Sequence, residues 1–576
     1  MVATRGFAQR AVARCRWGML LGLGLVLAVA PGLGTAQGGS GSGSKPQAPD
    51  SHQPGSVAPQ KPADSRITPE QAKQLFALVD QLLQFSSQES GLPIKSTVKR
   101  RLTTRAEVEK YVEEKFNQDQ GAKRLQRDEI VLKKFGLLDR DFDLRPFLVA
   151  LLKEQIEAYY DSKTRTVNLL DWVDADEQKP VLAHELTHAL QDQHSDLEKW
   201  DNQTPDDVST TSAADSEHLA KDEMDTARDA VAEGQATAVM MDYVLKPFGK
   251  SLVKDPEVLD ALKDKMTGSD SPVMSRAPLL LSESMLFPYK EGLSFEQDLW
   301  MDQGREAAFA GALDRPPSST WEIINPRVYE KKEIPAVPLL PNIHPLVDGS
   351  YRPYDIGQVG QLDLHILAEL FGGDQAARDL TGAWNGGIYW CGQLRSARTP
   401  AEQDTTRSLA LLYLSEWKNQ EAALAFAKLY ADNLARKYAG VHKDLAATAS
   451  APADGGIEQV YDTDEGPVVI TIEGRKMFVA ESFPLPLARK LTTLILSAQG
   501  SGEMRTAENG PAPWLLVPPR AEALPPAGEP VEGPALSADL VRFFENSGVM
   551  KAEVDAAVRV DYLATRPPKT PPRPAK

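Results

Sequence analysis

The segment that most constrains the fold runs from Val181 to about Gln193, with the sequence VLAHELTHALQDQ. Its apolar residues recur at helical spacing, and Pro180 suits the first position of a helix. Inside this apolar helix lie His184, Glu185 and His188. Two buried histidines and a buried glutamate are costly in apolar surroundings unless they have a partner such as a metal ion. The fold must therefore bury this helix and also supply a partner for its polar side chains.

The spacing of these residues predicts a specific chemistry. His184 and His188 are four positions apart, so on a helix both imidazoles point the same way and can hold one zinc ion. Glu185 is then close enough to reach a water molecule on the metal without binding the metal itself. Zinc lowers the pKa of that water, and a carboxylate can accept its proton as the water attacks a carbonyl group. The segment predicts a hydrolase site with one catalytic Zn²⁺.

The run His-Glu-Leu-Thr-His-Ala at 184–189 resembles the active-site helix of thermolysin-like gluzincins. Together with Tyr-Tyr-Asp at 159–161, the longer run resembles a set of poorly characterised bacterial secreted zinc metallopeptidases over residues 145–245. The resemblance implies a mostly helical zincin-like metallopeptidase domain. The strand and helix patterns in the later part of the chain predict a C-terminal α+β subdomain, so the predicted fold class is α+β. It also implies a zinc metallopeptidase of the HExxH type that cleaves a peptide or protein substrate, with Glu185 as general base.

A third protein ligand is needed, because catalytic zinc sites use three and leave the fourth position for water. The resemblance to gluzincins implies a glutamate on a later helix, and Glu233 lies in the run AVAEGQATAV. Gly234 and Ala236 would let this helix approach the histidine helix closely. The competing interpretation of Glu233 is a solvent-facing residue in the first turn of a helix.

His194 is a rival third ligand. Its offset from His184 equals that of the third histidine in metzincins, but the glycine that turns the chain in metzincins is replaced by Gln191. If the helix continues, His194 points elsewhere. His218 is a weaker alternative. Other acids lie nearby in more polar surroundings: Glu217, Asp222, Glu223 and Asp229.

The groups that would support the site are less defined by the sequence. The acid that thermolysin-type enzymes carry four residues after the third ligand is Thr237 here, so Asp229 is a candidate for orienting a ligating histidine. A tyrosine or histidine that stabilises the transition state is expected from a downstream segment. Tyr289 and Tyr389 are candidates, and each also fits an ordinary core or surface aromatic.

Two β-type runs around a polar turn predict a hairpin from Tyr159 to Leu170. In zincins an edge strand above the active-site helix pairs with the substrate backbone. The residues Thr166–Leu169 are the candidate strand for this pairing, which would hold a peptide across the zinc. A purely structural hairpin is the alternative.

The N-terminus predicts export. Residues 1–36 combine a basic start, the apolar stretch Met19–Ala30 and the small residues Gly34, Thr35 and Ala36, which is typical of a cleaved signal peptide. This predicts a secreted or periplasmic protein without stable membrane insertion, and an uncleaved anchor is the alternative. The net charge of −17 argues against a nucleic-acid partner.

Only two cysteines, Cys15 and Cys391, occur in the chain, and removal of residues 1–36 would leave Cys391 alone. The core must then hold without an internal disulfide, and Cys391 is interpreted as a buried thiol.

Composition and breaker residues divide the chain into six parts. The first three are a signal peptide (1–36), a disordered tether (37–65) and a zincin-like metallopeptidase domain (66–400). A C-terminal α+β subdomain (401–499), a Pro-rich linker (500–535) and a short helical segment with a Pro-rich tail (536–576) follow.

Two further functions remain open at the level of the sequence. One is a non-catalytic binding or processing protein on a zincin scaffold, although intact His184, Glu185 and His188 argue against a decayed site. The other is a zinc hydrolase of non-peptide amides. The sequence predicts no oligomeric state.

Overall fold

The computed structural model describes residues 20–23, 67–117, 119–200, 203, 210–266, 272–449 and 456–499. The predicted tether, the Pro-rich linker and the C-terminal segment lie outside the described residues, as does the predicted signal peptide apart from Leu20–Leu23. The described part is a mixed α+β structure, in agreement with the predicted class. None of its helices combines the length and apolar character needed to cross a membrane.

The longer helices of the described ranges are, in chain order, α1 (Pro69–Ser90), α2 (Arg105–Asn117), α3 (Asp119–Phe135), α4 (Leu144–Gln155), α5 (Gln178–Ser195), α6 (Ser212–Lys221), α7 (Met224–Leu245), α8 (Glu257–Met266), α9 (Leu279–Gln303), α10 (Gln361–Ala383), α11 (Gln420–Asp432) and α12 (Leu485–Ser497). A π-helical turn, Ala307–Gly311, follows α9.

The strands are β1 (Leu20–Leu23), β2 (Lys99–Thr103), β3 (Ile156–Asp161), β4 (Thr166–Leu170), β5 (Tyr351–Gln358), β6 (Trp384–Leu394), β7 (Leu409–Trp417), β8 (Val441–Lys443), β9 (Ile457–Thr463), β10 (Val468–Glu473) and β11 (Lys476–Glu481). They form two sheets, a small one in the order β1-β3-β4-β2 and a seven-stranded one in the order β5-β6-β7-β11-β10-β9-β8. In the small sheet β3 and β4 form the predicted hairpin, and β2 runs parallel to β4.

Helix α5 lies at the centre of the first half of the protein. It packs against α1, α7 and strand β3, and its side chains from Val181 to Asp192 are all buried. A hydrogen bond from the Ser86 hydroxyl to the carbonyl of Ala183, 3.0 Å long, ties α1 to it. The predicted helix is thus present and is a core element, in which apolar residues and polar residues with partners on neighbouring elements are buried together.

Two glycines allow α7 and α9 to approach closely. A Cβ atom at Gly234 would lie 2.3 Å from the carbonyl oxygen of Gly292, and one at Gly292 would lie 2.2 Å from that of Ala230. Any larger side chain at either position would push the helices apart. Gly234 was expected to face the histidine helix, but it faces α9 instead, because Glu233 itself occupies the side of α7 that meets α5.

The central strands of the seven-stranded antiparallel sheet are buried on both faces. Along β7, alternate residues join two different hydrophobic clusters: Leu411 and Tyr413 face the side covered by α11, while Leu412 and Leu414 face the side covered by α12. Cys391 is fully buried in β6, and burial raises the pKa of its thiol well above the usual range, as expected for a core thiol. The predicted boundary at residue 400 falls inside this sheet, between β6 and β7.

Several local predictions were wrong. The polar, acidic composition of residues 199–223 predicts a loop, but they contain α6, which Thr211 caps. Residues 250–400 have little periodicity and are rich in proline, so the sequence assigns no elements to them, yet they contain the long helices α9 and α10. Helix α9 is buried on most of its surface and carries Pro288 internally, so its sequence lacks the polar stripe that marks a surface helix. The sequence predicts one long helix from Asn419 to Tyr438, but the structure interrupts it at Asn433.

Candidate metal centre

Three side chains from α5 and α7 converge on one point. The Nε2 atom of His184 lies 3.1 Å from Nε2 of His188 and 3.1 Å from Oε2 of Glu233. The third distance, from Nε2 of His188 to Oε2 of Glu233, is 3.5 Å. All three residues are buried, and within the described residues they form the single group of histidine, cysteine or acidic side chains with ligand atoms close enough to hold a metal ion. The structure thus brings together the three predicted metal ligands, His184, His188 and Glu233, which we call the ligand cluster.

Charge inside this cluster favours a cation. Burial by itself lowers the pKa of His188, but the carboxylate of Glu233, and to a smaller extent that of Glu185, raises it, and the net shift is upward. The negative field that would hold a proton on this imidazole would equally attract a divalent cation. Two imidazole nitrogens and one carboxylate oxygen are also a donor set that zinc uses in catalytic sites.

Glu185 follows His184 on α5 but faces the small sheet. Its Oε2 atom accepts a hydrogen bond of 2.7 Å from the backbone N–H of Tyr160 in β3. The hydroxyl of the same tyrosine donates to Asp192, two turns further along α5, at 2.9 Å. Tyr160 therefore holds α5 against β3 at two points and fixes the carboxylate of Glu185 beside the ligand cluster, outside the set of ligand atoms.

The second ring nitrogen of His188 also has a partner. Its Nδ1 atom lies 2.8 Å from Oε1 of Gln191, which is buried one turn further along α5. The sequence suggested Asp229 as the residue that orients a ligating histidine. Asp229 is buried on α7, one turn before Glu233, but the group that faces Nδ1 of His188 is Gln191.

The two candidate tyrosines lie in different environments. The ring of Tyr289, on α9, stacks near the His184 ring with centroids 6.3 Å apart and an angle of 28° between the planes. Tyr389 lies in β6 of the seven-stranded sheet, where its hydroxyl donates to Asp355 at 2.7 Å. Only Tyr289 is therefore placed beside the ligand cluster.

The rival ligands point away from the cluster. Nε2 of His194 lies 3.0 Å from Asp314, and His218 faces Asp222 at 3.5 Å. Helix α5 continues to Ser195, so His194 lies beyond the turns that carry the ligands, as expected when no glycine turns the chain. Three of the other acids have partners of their own: Glu217 contacts Lys221, Asp222 accepts from the backbone of Gln358, and Glu223 accepts from Thr320.

The strand predicted to bind substrate lies in the wrong place for that role. Strand β4, which contains Thr166–Leu169, is paired on one side by β3 and on the other by β2. It therefore offers no free edge. The strand next to Glu185 is β3, and its outer edge pairs with Leu20–Leu23 in antiparallel register. The segment that pairs there belongs to the predicted signal peptide.

The sequence did not identify three residues that contact the metal-ligand side chains or Glu185, directly or through one another: Tyr160, Gln191 and Gln235. Gln191 entered only as the residue that replaces a glycine, and Gln235 only as part of an apolar run. A buried glutamine one turn after a predicted ligand is a usable signal, because its amide must find partners in the core.

Comparison of the chain with protein families, with curated proteins and with solved structures finds no match.

Proposed function

We propose that this protein is a zinc metallopeptidase with a zincin-like domain, exported from the cell that makes it. The observation that carries the proposal is the convergence of His184, His188 and Glu233 within 4.8 Å, with Glu185 held immediately beside them. His184, His188 and Glu233 would hold the zinc ion. When bound, zinc supplies a Lewis acid and makes water more acidic.

The chain's own residues then have distinct tasks. Glu185 would accept the proton of the attacking water and return it to the leaving amine. The backbone N–H of Tyr160 keeps this carboxylate oriented before substrate arrives. Tyr289, whose ring stacks near that of His184, would stabilise the negative charge that develops on the substrate carbonyl oxygen.

The outer edge of β3 supports a peptide as the substrate. An extended peptide could pair there by strand addition, in the position that Leu20–Leu23 occupies. If residues 1–36 are removed on export, as their sequence predicts, this edge becomes open next to Glu185. A peptide bound along β3 would cross the ligand cluster, whereas β4 cannot receive one.

The test is hydrolysis of casein and of a mixed peptide library by the chain that begins at Gln37. We expect cleavage that stops with a chelator and returns on addition of zinc. Glu185→Gln should keep its zinc but lose at least about 100-fold in turnover, because an amide cannot accept the proton. Glu217→Gln, an exposed glutamate paired with Lys221, is the matched control and should cleave normally.

Zinc-loaded protein that cleaves none of these substrates would overturn the proposal. Inert zinc-loaded protein that still binds peptides would favour a binding protein. Cleavage of small amides without cleavage of peptides would favour the non-peptide hydrolase.

A further inference from the structure

A chain of two side-chain amides links His188 to the main chain of the π-helical turn. Gln191 lies 2.8 Å from Nδ1 of His188 through its Oε1 atom. Its Nε2 atom donates to Oε1 of Gln235 on α7 at 2.9 Å and to the carbonyl of Ala232 at 2.9 Å. Both glutamine side chains are fully buried, so these contacts do not compete with solvent.

The far end of this chain fixes its direction. Nε2 of Gln235 donates to the carbonyl oxygens of Ala308 and Phe309, at 2.9 and 3.0 Å. A carbonyl oxygen can only accept, so the nitrogen of the Gln235 amide must face this turn. Its oxygen must then face Gln191.

The same reasoning applies to Gln191. The Gln191 amide faces two acceptors, which are the carbonyl of Ala232 and Oε1 of Gln235. Its Nε2 atom must therefore lie on the side of these acceptors. A rotated amide would place an oxygen against both acceptors, which is unfavourable in a buried site. The Oε1 atom of Gln191 therefore faces His188, and an oxygen at that position accepts a proton from Nδ1.

We propose that Gln191 and Gln235 are positioning residues that keep the proton of His188 on Nδ1 and so leave the lone pair of Nε2 free for a metal ion. The main-chain carbonyls of Ala232, Ala308 and Phe309 fix the orientation of both amides, and the amide of Gln191 then determines which nitrogen of His188 carries the proton. The inference rests on the proposed zinc site for its consequence, but the directions of these hydrogen bonds follow from the three carbonyl acceptors alone. It assigns a role to two residues that neither touch the metal nor titrate.

The experiment measures zinc affinity by competition with a chelator and, separately, the stability of the metal-free protein. Gln191→Leu removes acceptor and donor, and we expect zinc to bind about 10- to 100-fold more weakly. Gln191→Glu keeps an oxygen at Nδ1 but loses the donor to Ala232 and Gln235. It should therefore retain most of the zinc affinity while it lowers stability.

Gln235→Leu should weaken zinc less than Gln191→Leu, because Ala232 still orients Gln191. Gln193→Leu is the matched control on the same helix, since that side chain accepts from the backbone of Lys95 and Ser96, and its zinc affinity should be unchanged. The visible spectrum of Co²⁺-substituted protein should change in Gln191→Leu and not in Gln193→Leu.

A purely structural role predicts that affinity and stability fall together, so equal zinc affinity in Gln191→Leu and Gln191→Glu overturns the inference. Normal affinity in Gln191→Leu overturns it as well. Both results leave the zinc site intact, whereas wild-type protein that binds no zinc overturns the proposed function instead.

Discussion

Two clusters of buried charged side chains in this protein are neutralised in different ways. The ligand cluster, His184, His188 and Glu233, presents three acceptor atoms to one another between α5 and α7. The lysine cluster, Tyr430, Lys437, Tyr438 and Glu481, lies against the seven-stranded sheet. In it the Lys437 ammonium contacts Glu481 at 2.5 Å, and both tyrosine hydroxyls donate to the same carboxylate.

The difference lies in where the positive charge comes from. Burial lowers the pKa of Lys437 to about 8, although Glu481 opposes this shift. The lysine cluster thus carries its own cation and satisfies the carboxylate with three donors. The ligand cluster includes no lysine or arginine, and its acceptor atoms face a common point. A buried carboxylate with a cation of its own is compensated within the fold, and removal of that cation is costly, whereas converging acceptors are suited to a cation from outside.

The largest expected effect is on metal content. His184→Ala/His188→Ala should reduce bound zinc from about one per molecule to none, because two of three ligands are lost. Metal analysis of purified protein measures this. His365→Ala/His442→Ala removes as many histidines elsewhere and should keep the metal. Equal zinc content per molecule in the two double variants would contradict the ligand assignment and remove the contrast between the clusters.

Next in size is the cost of breaking the lysine cluster. Lys437→Met leaves the carboxylate of Glu481 buried without its cation, and we expect a loss of about 3–5 kcal/mol in the free energy of unfolding. Zinc content per folded molecule should not change. Denaturant unfolding measures the loss, with exposed Lys428→Met, which removes a contact to Asp432, as the near-neutral control. Comparable stability in both variants would show that the lysine cluster is not a stabilising element.

The third prediction separates the two possible third ligands. Glu233→Ala should weaken zinc by more than about 100-fold, because it removes a ligand, while His194→Ala should leave zinc affinity unchanged. Competition with a chelator measures both. If His194→Ala lost the metal and Glu233→Ala kept it, the ligand set would resemble that of metzincins.

The smallest effect compares two tyrosines. Tyr289→Phe should lower kcat by up to about 100-fold with stability retained, because the hydroxyl would act only on the transition state. Tyr430→Phe removes one hydrogen bond to Glu481 and should cost about 1–2 kcal/mol of stability without a change in kcat. Steady-state kinetics and unfolding curves of both variants measure this. The reverse pattern would place Tyr289 among the structural aromatics.

Local sequence signals predicted the elements that are stabilised locally. The run Thr68-Pro69-Glu70-Gln71 predicts a capping box, and the structure has it at the start of α1. Asn419 is likewise a favourable cap residue, and it caps α11. The hairpin of β3 and β4 and that of β10 and β11 follow from short apolar runs around polar turns. Helix α9 could not be predicted in this way, because it is buried on most of its surface and has no periodic polar face.

The sequence by itself determined that His184 and His188 share one helix face, since a spacing of four residues has this consequence on any helix. It also indicated Glu233, through an acid in an apolar run. Only the tertiary structure decided that Glu233 completes the ligand cluster and that β3, not β4, lies beside Glu185. It also decided which group faces Nδ1 of His188. The place of Glu233 and the orientation of the Gln191 amide depend on how α7 packs against α5, and the place of β3 depends on how the small sheet packs against α5. Gly234 and Gly292, more than fifty residues apart in the chain, let α7 and α9 pack closely, and no local pattern encodes such a contact.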